Sequence, residues 1–125
     1  IDCDIFAPCA LGADLNQESI PQLACAAIAG SANNQLQTPE DGQRIADRGI
    51  LYAPDFVVNA GGIINIAAGH GGYSPEKAAI MIDRIHDNLT EILDLADRDG
   101  IRTDLAAEQI ADERIARARA QGASK

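Results

Sequence analysis

Two runs of four residues limit what this chain can fold into. Ile5-Phe6-Ala7-Pro8 and Leu51-Tyr52-Ala53-Pro54 are both short, apolar and closed by proline. Proline has no N–H for a sheet ladder, so each run reads as a buried strand that turns sharply into a loop. Asp4 is included in the first strand, and Ile50 in the second. Ala26-Ala27-Ile28-Ala29-Gly30 reads as another strand, a weak one because alanine is a poor strand former.

Helical segments separate the strands. Ser19-Ile20-Pro21 starts a short helix, with Ser19 as its cap. Thr38-Pro39-Glu40-Asp41 combines a capping residue, proline in the first turn and two acids, and the helix that follows should stop at Gly49. Asp55 to Asn59 is expected to continue extended. Gly61-Gly62 opens a short helix through Ala68, and residues 69–72 form a glycine-rich loop around His70. Ser74-Pro75-Glu76 starts the longest helix, to about Asp99, with Gly100 beyond it. Its apolar stripe of Ile82, Ile85, Leu89, Ile92 and Ala96 predicts one buried face. Thr103 is expected to cap a last helix over Asp104 to Arg119.

Alternating strands and helices imply a parallel sheet. Strands without polar alternation suggest that both sheet faces are covered. The carboxyl ends of the strands would then share one edge, carrying Pro8-Cys9-Ala10, Ser31-Ala32-Asn33-Asn34 and Asn59-Ala60-Gly61-Gly62. Open parallel sheets bind ligands in the crevice outside those ends. Spacing therefore gives half of an α/β nucleotide-binding type of domain with a ligand edge. No G-x-G-x-x-G is present.

Composition narrows the function classes. The formal charge of −9 argues against a nucleic-acid backbone as partner. Arg114, Arg117 and Arg119 form the one basic cluster, read as a solvated helix end. No apolar run approaches the ~20 residues that cross a bilayer. Three cysteines without a C-x-x-C pair fit reduced thiols in a cytoplasmic protein rather than a disulfide framework or zinc site. The 125 residues suit one domain at most, and a core rich in alanine would be thin for an independent one. The first residue is Ile1, within an apolar run, which reads as a fragment.

Several motifs stay open on chemistry alone. The Asn33-Asn34-Gln35 amides suit carboxamide, ribose or carboxylate groups, and equally suit a turn. Asn59-Ala60-Gly61-Gly62 offers close backbone approach and a helix N-terminus, or simply glycines at positive φ. Ile63 and Ile66 share a helix face and read as core packing. Cys9 has no histidine placed to activate it and reads as packing. His70 and His86 lack metal-ligand spacing, and no metal site is expected. His86 reads as surface or interface.

Three blocks then carry a resemblance. Asp2-Cys3-Asp4-Ile5-Phe6-Ala7-Pro8-Cys9-Ala10-Leu11-Gly12, Ala29-Gly30-Ser31-Ala32-Asn33-Asn34-Gln35-Leu36, and Tyr52-Ala53-Pro54-Asp55-Phe56-Val57-Val58-Asn59-Ala60-Gly61-Gly62-Ile63-Ile64-Asn65 resemble, in order and separation, segments of the NAD-dependent leucine/phenylalanine/valine dehydrogenases, relatives of glutamate dehydrogenase. The resemblance covers the whole chain, more loosely after Gly69. It implies an α/β fold: the second half of a Rossmann-type parallel-sheet NAD-binding domain over residues 1–125, with 74–125 as C-terminal helices.

The implied activity is reversible NAD-dependent oxidative deamination of an L-amino acid to a 2-oxo acid and ammonia, in an intact parent that is a cytoplasmic homo-oligomer. The fragment alone is expected to be inactive. By the same resemblance Cys9, Ala10, Ala32, Asn33, Asn34 and Asn59 border the NAD cofactor. Asn34 also reaches the amino-acid substrate, and Ile63 and Ile66 line its side-chain pocket, which moves that pair from core to pocket and mildly favours a compact aliphatic substrate. The family's catalytic lysine, its partner aspartate, the lysine that holds the substrate carboxylate and the glycine fingerprint would all lie upstream, so no catalytic residue is expected here. The alternatives are a glutamate dehydrogenase, which the Asn33-Asn34-Gln35 loop and Pro8-Cys9-Ala10 turn disfavour, and a non-catalytic interaction module.

Overall fold

The computed structural model describes residues 2–69 and 72–122, so His70 and Gly71 of the glycine-rich loop lie outside the described residues. Three two-residue strands, β1 (Ile5–Phe6), β2 (Ala27–Ile28) and β3 (Leu51–Tyr52), form a parallel sheet in the order β1-β2-β3. Ile5 pairs with Ala27 and Ala27 with Leu51; Phe6 pairs with Ile28 and Ile28 with Tyr52. Each row therefore lies on one sheet face.

The two faces differ. Phe6, Ile28 and Tyr52 face a core completed by Leu15, Ile20, Ile45 and Ile50. On the opposite face Ile5 is 61% exposed and Leu51 46% exposed. The expectation that both faces are covered is thus corrected. An apolar strand pattern signals that a face is suited to burial, and here the helix that carries Ile45 and the segment around Ile20 supply a cover on one side only.

Helix α1 (Pro39–Asp47) starts as its sequence predicts. The buried Asp41 carboxylate accepts from the Thr38 N–H at 2.8 Å and the Thr38 hydroxyl at 3.0 Å, and it also pairs with Arg44 at 2.6 Å. Gly49 closes the turn at φ +67°, a conformation glycine adopts without strain. At Ser19 the prediction of a side-chain cap is corrected. A 3-10 turn does span Ile20–Gln22, but the Ser19 hydroxyl is engaged upstream, donating to the Asp14 carbonyl and accepting from the Asn16 N–H.

Asp55 to Asn59 is not extended. It forms α2 (Asp55–Val58), because the Pro54 carbonyl accepts from Val57 and Val58, and Asn59 N–H returns to Asp55. Packing of α2 against a later helix overrides the strand preference of the two valines. Helix α3 (Gly61–Ala68) follows, as expected.

Helix α4 (Pro75–Asp99) is capped by the Ser74 hydroxyl, which accepts from Lys77, and ends at Gly100 with φ +64°. Its predicted stripe is buried only toward its end: Ile92 and Ala96 are covered, whereas Ile82 is 42% exposed. Helix α5 (Thr103–Gly122) packs along α4 through Leu95, Ala96, Ala106, Ala107 and Ile110. Thr103 is not a cap. It lies in the first turn, and its hydroxyl donates to the Tyr52 carbonyl at 2.5 Å, joining α5 to β3. No helix among the described residues is long and apolar enough to cross a membrane.

Candidate functional site

Parallel pairing brings the carboxyl ends of all three strands to one edge. There the loops are held close. Ala32 N–H donates to the Pro8 carbonyl at 2.9 Å, and a side-chain carbon added at Gly30 would sit 2.2 Å from that same oxygen. Asn34 has φ +52°, a left-handed conformation that asparagine tolerates better than most residues. Its carbonyl accepts from Ala13, itself at φ +62°, so the segment after β1 buttresses the asparagine loop. Non-glycine residues held in this way concentrate at functional sites.

These loops and the start of α3 surround a cleft of about 650 Å³. Ser31, Asn33 and Asn34 line one side; Asp55, Phe56, Asn59, Ala60, Gly62 and Ile63 line the other. Asn59 donates across it to Asn33 Oδ1 at 2.5 Å and to the Ala32 carbonyl at 3.5 Å. The donors are mostly neutral amides and hydroxyls, able both to donate and to accept. Gly61 and Gly62 do not have positive φ, and an added side-chain carbon at either would meet nothing within 4 Å. Gly62, which lines the cleft, preserves open space there and not an unusual backbone.

The expected site residues divide accordingly. Asn33, Asn34, Asn59 and Ile63 meet at the cleft. Ala32 is buried and contributes its carbonyl. Cys9 is exposed, not packed, which corrects the packing expectation: it follows Pro8 at the open strand edge, and its Sγ accepts from the Ser31 N–H at 3.5 Å. The Ser31 hydroxyl, then its N–H, hold this thiol below the ordinary thiol range. Ala10 lies in an exposed bend outside the cleft lining. Ile66, one turn beyond Ile63, is 77% exposed and Ile63 70%, so neither belongs to the core of the described residues. Ser31 and Gly62 entered the sequence reading only within strand-end motifs, and Asp55 and Phe56 only within the third resembling block, none with a role of its own.

Asp55 is buried. Its carboxylate accepts from the Gln35 N–H at 3.2 Å, and its own N–H donates to the Tyr52 hydroxyl at 3.4 Å. Burial, and then the charge of Asp55, push the Tyr52 phenol above its ordinary range. A second groove, of about 620 Å³, lies between α4 and α5, lined by Asp87, Glu91, Asp94 and Glu113 around Arg98. Its acids repel carboxylates and phosphates, so the amide cleft is the better candidate for either. Among the described residues no cluster of histidine, cysteine and acids is placed to hold a metal. Exposed His86 lies 3.5 Å from Asp87. Of the basic cluster, Arg114 is not merely solvated: it reaches from α5 to Glu91 of α4 at 2.5 Å.

Comparison with known proteins agrees with this architecture. The family model for glutamate/leucine/phenylalanine/valine dehydrogenase matches residues 1–122. Leucine dehydrogenase of Bacillus cereus is 51% identical over 93% of this chain and 32% of its own length. Phenylalanine dehydrogenase of Bacillus thermotolerans is 48% identical over 91% of this chain and 30% of its own. The crystal structure of L-tryptophan dehydrogenase from Nostoc punctiforme superposes with a TM-score of 0.91 at 46% identity, covering 95% of this chain and 36% of that one. The chain therefore spans about a third of the length of these relatives. By motif, fold and overall similarity, it belongs to the glutamate/leucine/phenylalanine/valine dehydrogenase family.

Proposed function

We propose that this chain is the part of an NAD-dependent amino-acid dehydrogenase that presents the nicotinamide-side loops and one wall of the substrate pocket. In this reading residues 1–125 are a partial dinucleotide-binding domain of Rossmann type, with 74–125 as its C-terminal helices. The reaction is reversible oxidative deamination of a hydrophobic L-amino acid to a 2-oxo acid and ammonia. The observation that carries the proposal is the neutral amide cleft at the carboxyl ends of three parallel strands, where Asn59 and Asn33 bond across the opening.

The donor set fits the group it would hold. A carboxamide and ribose need neutral donors and acceptors, which Ser31, Asn33 and Asn59 supply, and Gly62 leaves room for close approach. When bound, the nicotinamide supplies the hydride acceptor. The chain's own residues orient and enclose. Asn33 and Asn59 fix each other's amides. Asn34 lines the same cleft and in this reading binds substrate. Cys9, held to Ser31, and Ala32, through its carbonyl, border the cofactor side in this reading, and Ala10 is assigned there by the family resemblance alone, since it lies outside the cleft lining. Ile63 and Ile66 offer exposed apolar surface that an aliphatic or aromatic side chain would cover, excluding water.

The relatives named for leucine, phenylalanine and tryptophan support a hydrophobic substrate over glutamate. A cytoplasmic, homo-oligomeric parent completes the proposal. The test is the initial rate of NAD reduction by the full-length enzyme with L-leucine, L-valine, L-phenylalanine, L-tryptophan and L-glutamate. Turnover with a hydrophobic amino acid is expected. Turnover with glutamate alone would move the assignment to glutamate dehydrogenase, and none at all would leave a non-catalytic interaction module.

A further inference from the structure

The cleft amides hang on a loop, and one buried side chain holds that loop from behind. Gln35 is completely buried. Its Nε2 donates to the Gly30 carbonyl at 2.8 Å and to the Ala32 carbonyl at 3.0 Å, so it grips the loop on both sides of Ser31. Its backbone is held as well. The N–H donates to Asp55 at 3.2 Å, and the carbonyl accepts from Leu15 at 3.0 Å. The Ala32 carbonyl also receives Asn59 Nδ2. One carbonyl oxygen is thus shared by the buried Gln35 amide and by the Asn59 amide that lines the cleft.

The orientation of the Gln35 amide follows from its neighbours. Two carbonyl oxygens require the NH₂ group, and reversing the amide would set oxygen against oxygen. The arrangement leaves Gln35 Oε1 buried without a partner. A group left in that state is normally disfavoured. Its retention points to the other end of the amide, which fixes the loop.

We propose that Gln35 is a positioning residue for cofactor binding: through the Gly30 and Ala32 carbonyls it sets the loop that aims Asn33 and Asn59 into the cleft. This deepens the proposed function and rests on it. Gln35 touches neither cofactor nor substrate, so its effect must pass through Asn33 and Asn59, and the two layers must be coupled.

The test is a double-mutant cycle in the full-length enzyme with Gln35→Met, Asn59→Ala and the pair, reading KM for NAD, KM for the amino acid, NADH binding by fluorescence, and Tm. Methionine keeps the length and removes both donors. Gln35→Met is expected to raise KM for NAD by roughly 10-fold or more, from two lost hydrogen bonds, and KM for the amino acid by much less. Adding it to Asn59→Ala should add little, because the loop then has less to aim. A lowered Tm with unchanged KM for NAD, or effects that simply multiply, would overturn the proposal.

Should Gln35→Met fail to fold, Gln35→Glu carries the test. Protonated, the glutamate keeps one donor for the two carbonyls; ionised, it keeps none. Its KM for NAD should therefore rise above that of wild type as pH increases. Asp55 and Tyr52, the titratable groups in the same hydrogen-bond network, are common to both proteins, so the difference isolates position 35. Parallel pH profiles would overturn the proposal. A wild-type enzyme that neither binds NADH nor reduces NAD would instead sink the dehydrogenase function and take this inference with it.

Discussion

The sheet end and the helical pair of this molecule bury different kinds of side chain. Around the sheet the core is made of large residues, with Leu15, Ile20, Ile28 and Ile45 all at most 1% exposed. Threaded beside them are polar groups that are also buried, namely Gln35, Asp41 and Asp55, each hydrogen-bonded to backbone or side chain. Between α4 and α5 the buried residues are Ile92, Leu95 and Ile110 with three alanines, and the polar links, such as Arg114 to Glu91, lie in the open. Burying a polar group requires its hydrogen bonds to be satisfied in one arrangement, so it specifies loop position in a way that apolar contact does not. The region that must aim amides has this network; in the helical pair the buried polar side chain is Asp104, in the first turn of α5, and it pairs with Arg102 and not with a cleft loop.

That contrast can be broken in stages. The largest effect should come from Ile28→Ala in the central strand, which loses about 4 kcal/mol of stability by denaturant unfolding. A loss below about 1 kcal/mol would mean that the sheet core is not close-packed. In the helical pair, Ala106 is fully buried, so Ala106→Leu should destabilise by about 2 kcal/mol through overpacking. Neutrality there would show that α4 and α5 can separate freely.

Tyr52 sharpens the comparison through pH. Its phenol is raised above the ordinary value by burial and by Asp55, so the folded state favours the neutral form. The stability this contributes is fully present below the unfolded value of about 10 and is lost as pH rises above it. Tyr52→Phe should flatten that alkaline loss in thermal melts, and an unchanged alkaline limb would contradict the assignment. At Cys9, Ser31→Ala removes the hydroxyl that chiefly favours the ionised thiol, so the pH midpoint of Cys9 alkylation should move upward. No movement would place the cause elsewhere. The smallest effect belongs to the surface: Arg114→Ala should cost at most about 0.5 kcal/mol, because Arg114 and Glu91 are each about half exposed.

Much of this was legible in the sequence because local chemistry decides it. Pro8 and Pro54 mark the strand ends, Thr38-Pro39 and Ser74-Pro75 mark helix starts, and Gly49 and Gly100 mark stops. The amide loop was legible for the same reason: Asn33 and Asn34 follow a strand that parallel pairing must place beside the others. Effects of packing over distance were less so. Val57 and Val58 favour a strand by themselves, yet α2 is helical against α4. Ile5 and Leu51 read as buried, yet the covering elements lie on the other face. Asp55 emerged only when residues 20 positions apart came within hydrogen-bond distance, and the role of the Gln35 side chain only when its burial set its amide against the Gly30 and Ala32 carbonyls.

The most direct test of the amide cleft as cofactor site sets the two regions against each other. It is the dissociation constant for NADH, by fluorescence titration of the full-length enzyme, for wild type, Asn59→Ala and Arg114→Ala. Asn59→Ala should weaken binding roughly 10-fold, through the lost amide and the loosened Asn33, while Arg114→Ala leaves it unchanged. Equal affinities for all three proteins, or a loss confined to Arg114→Ala, would contradict the account and move the search to the groove between α4 and α5.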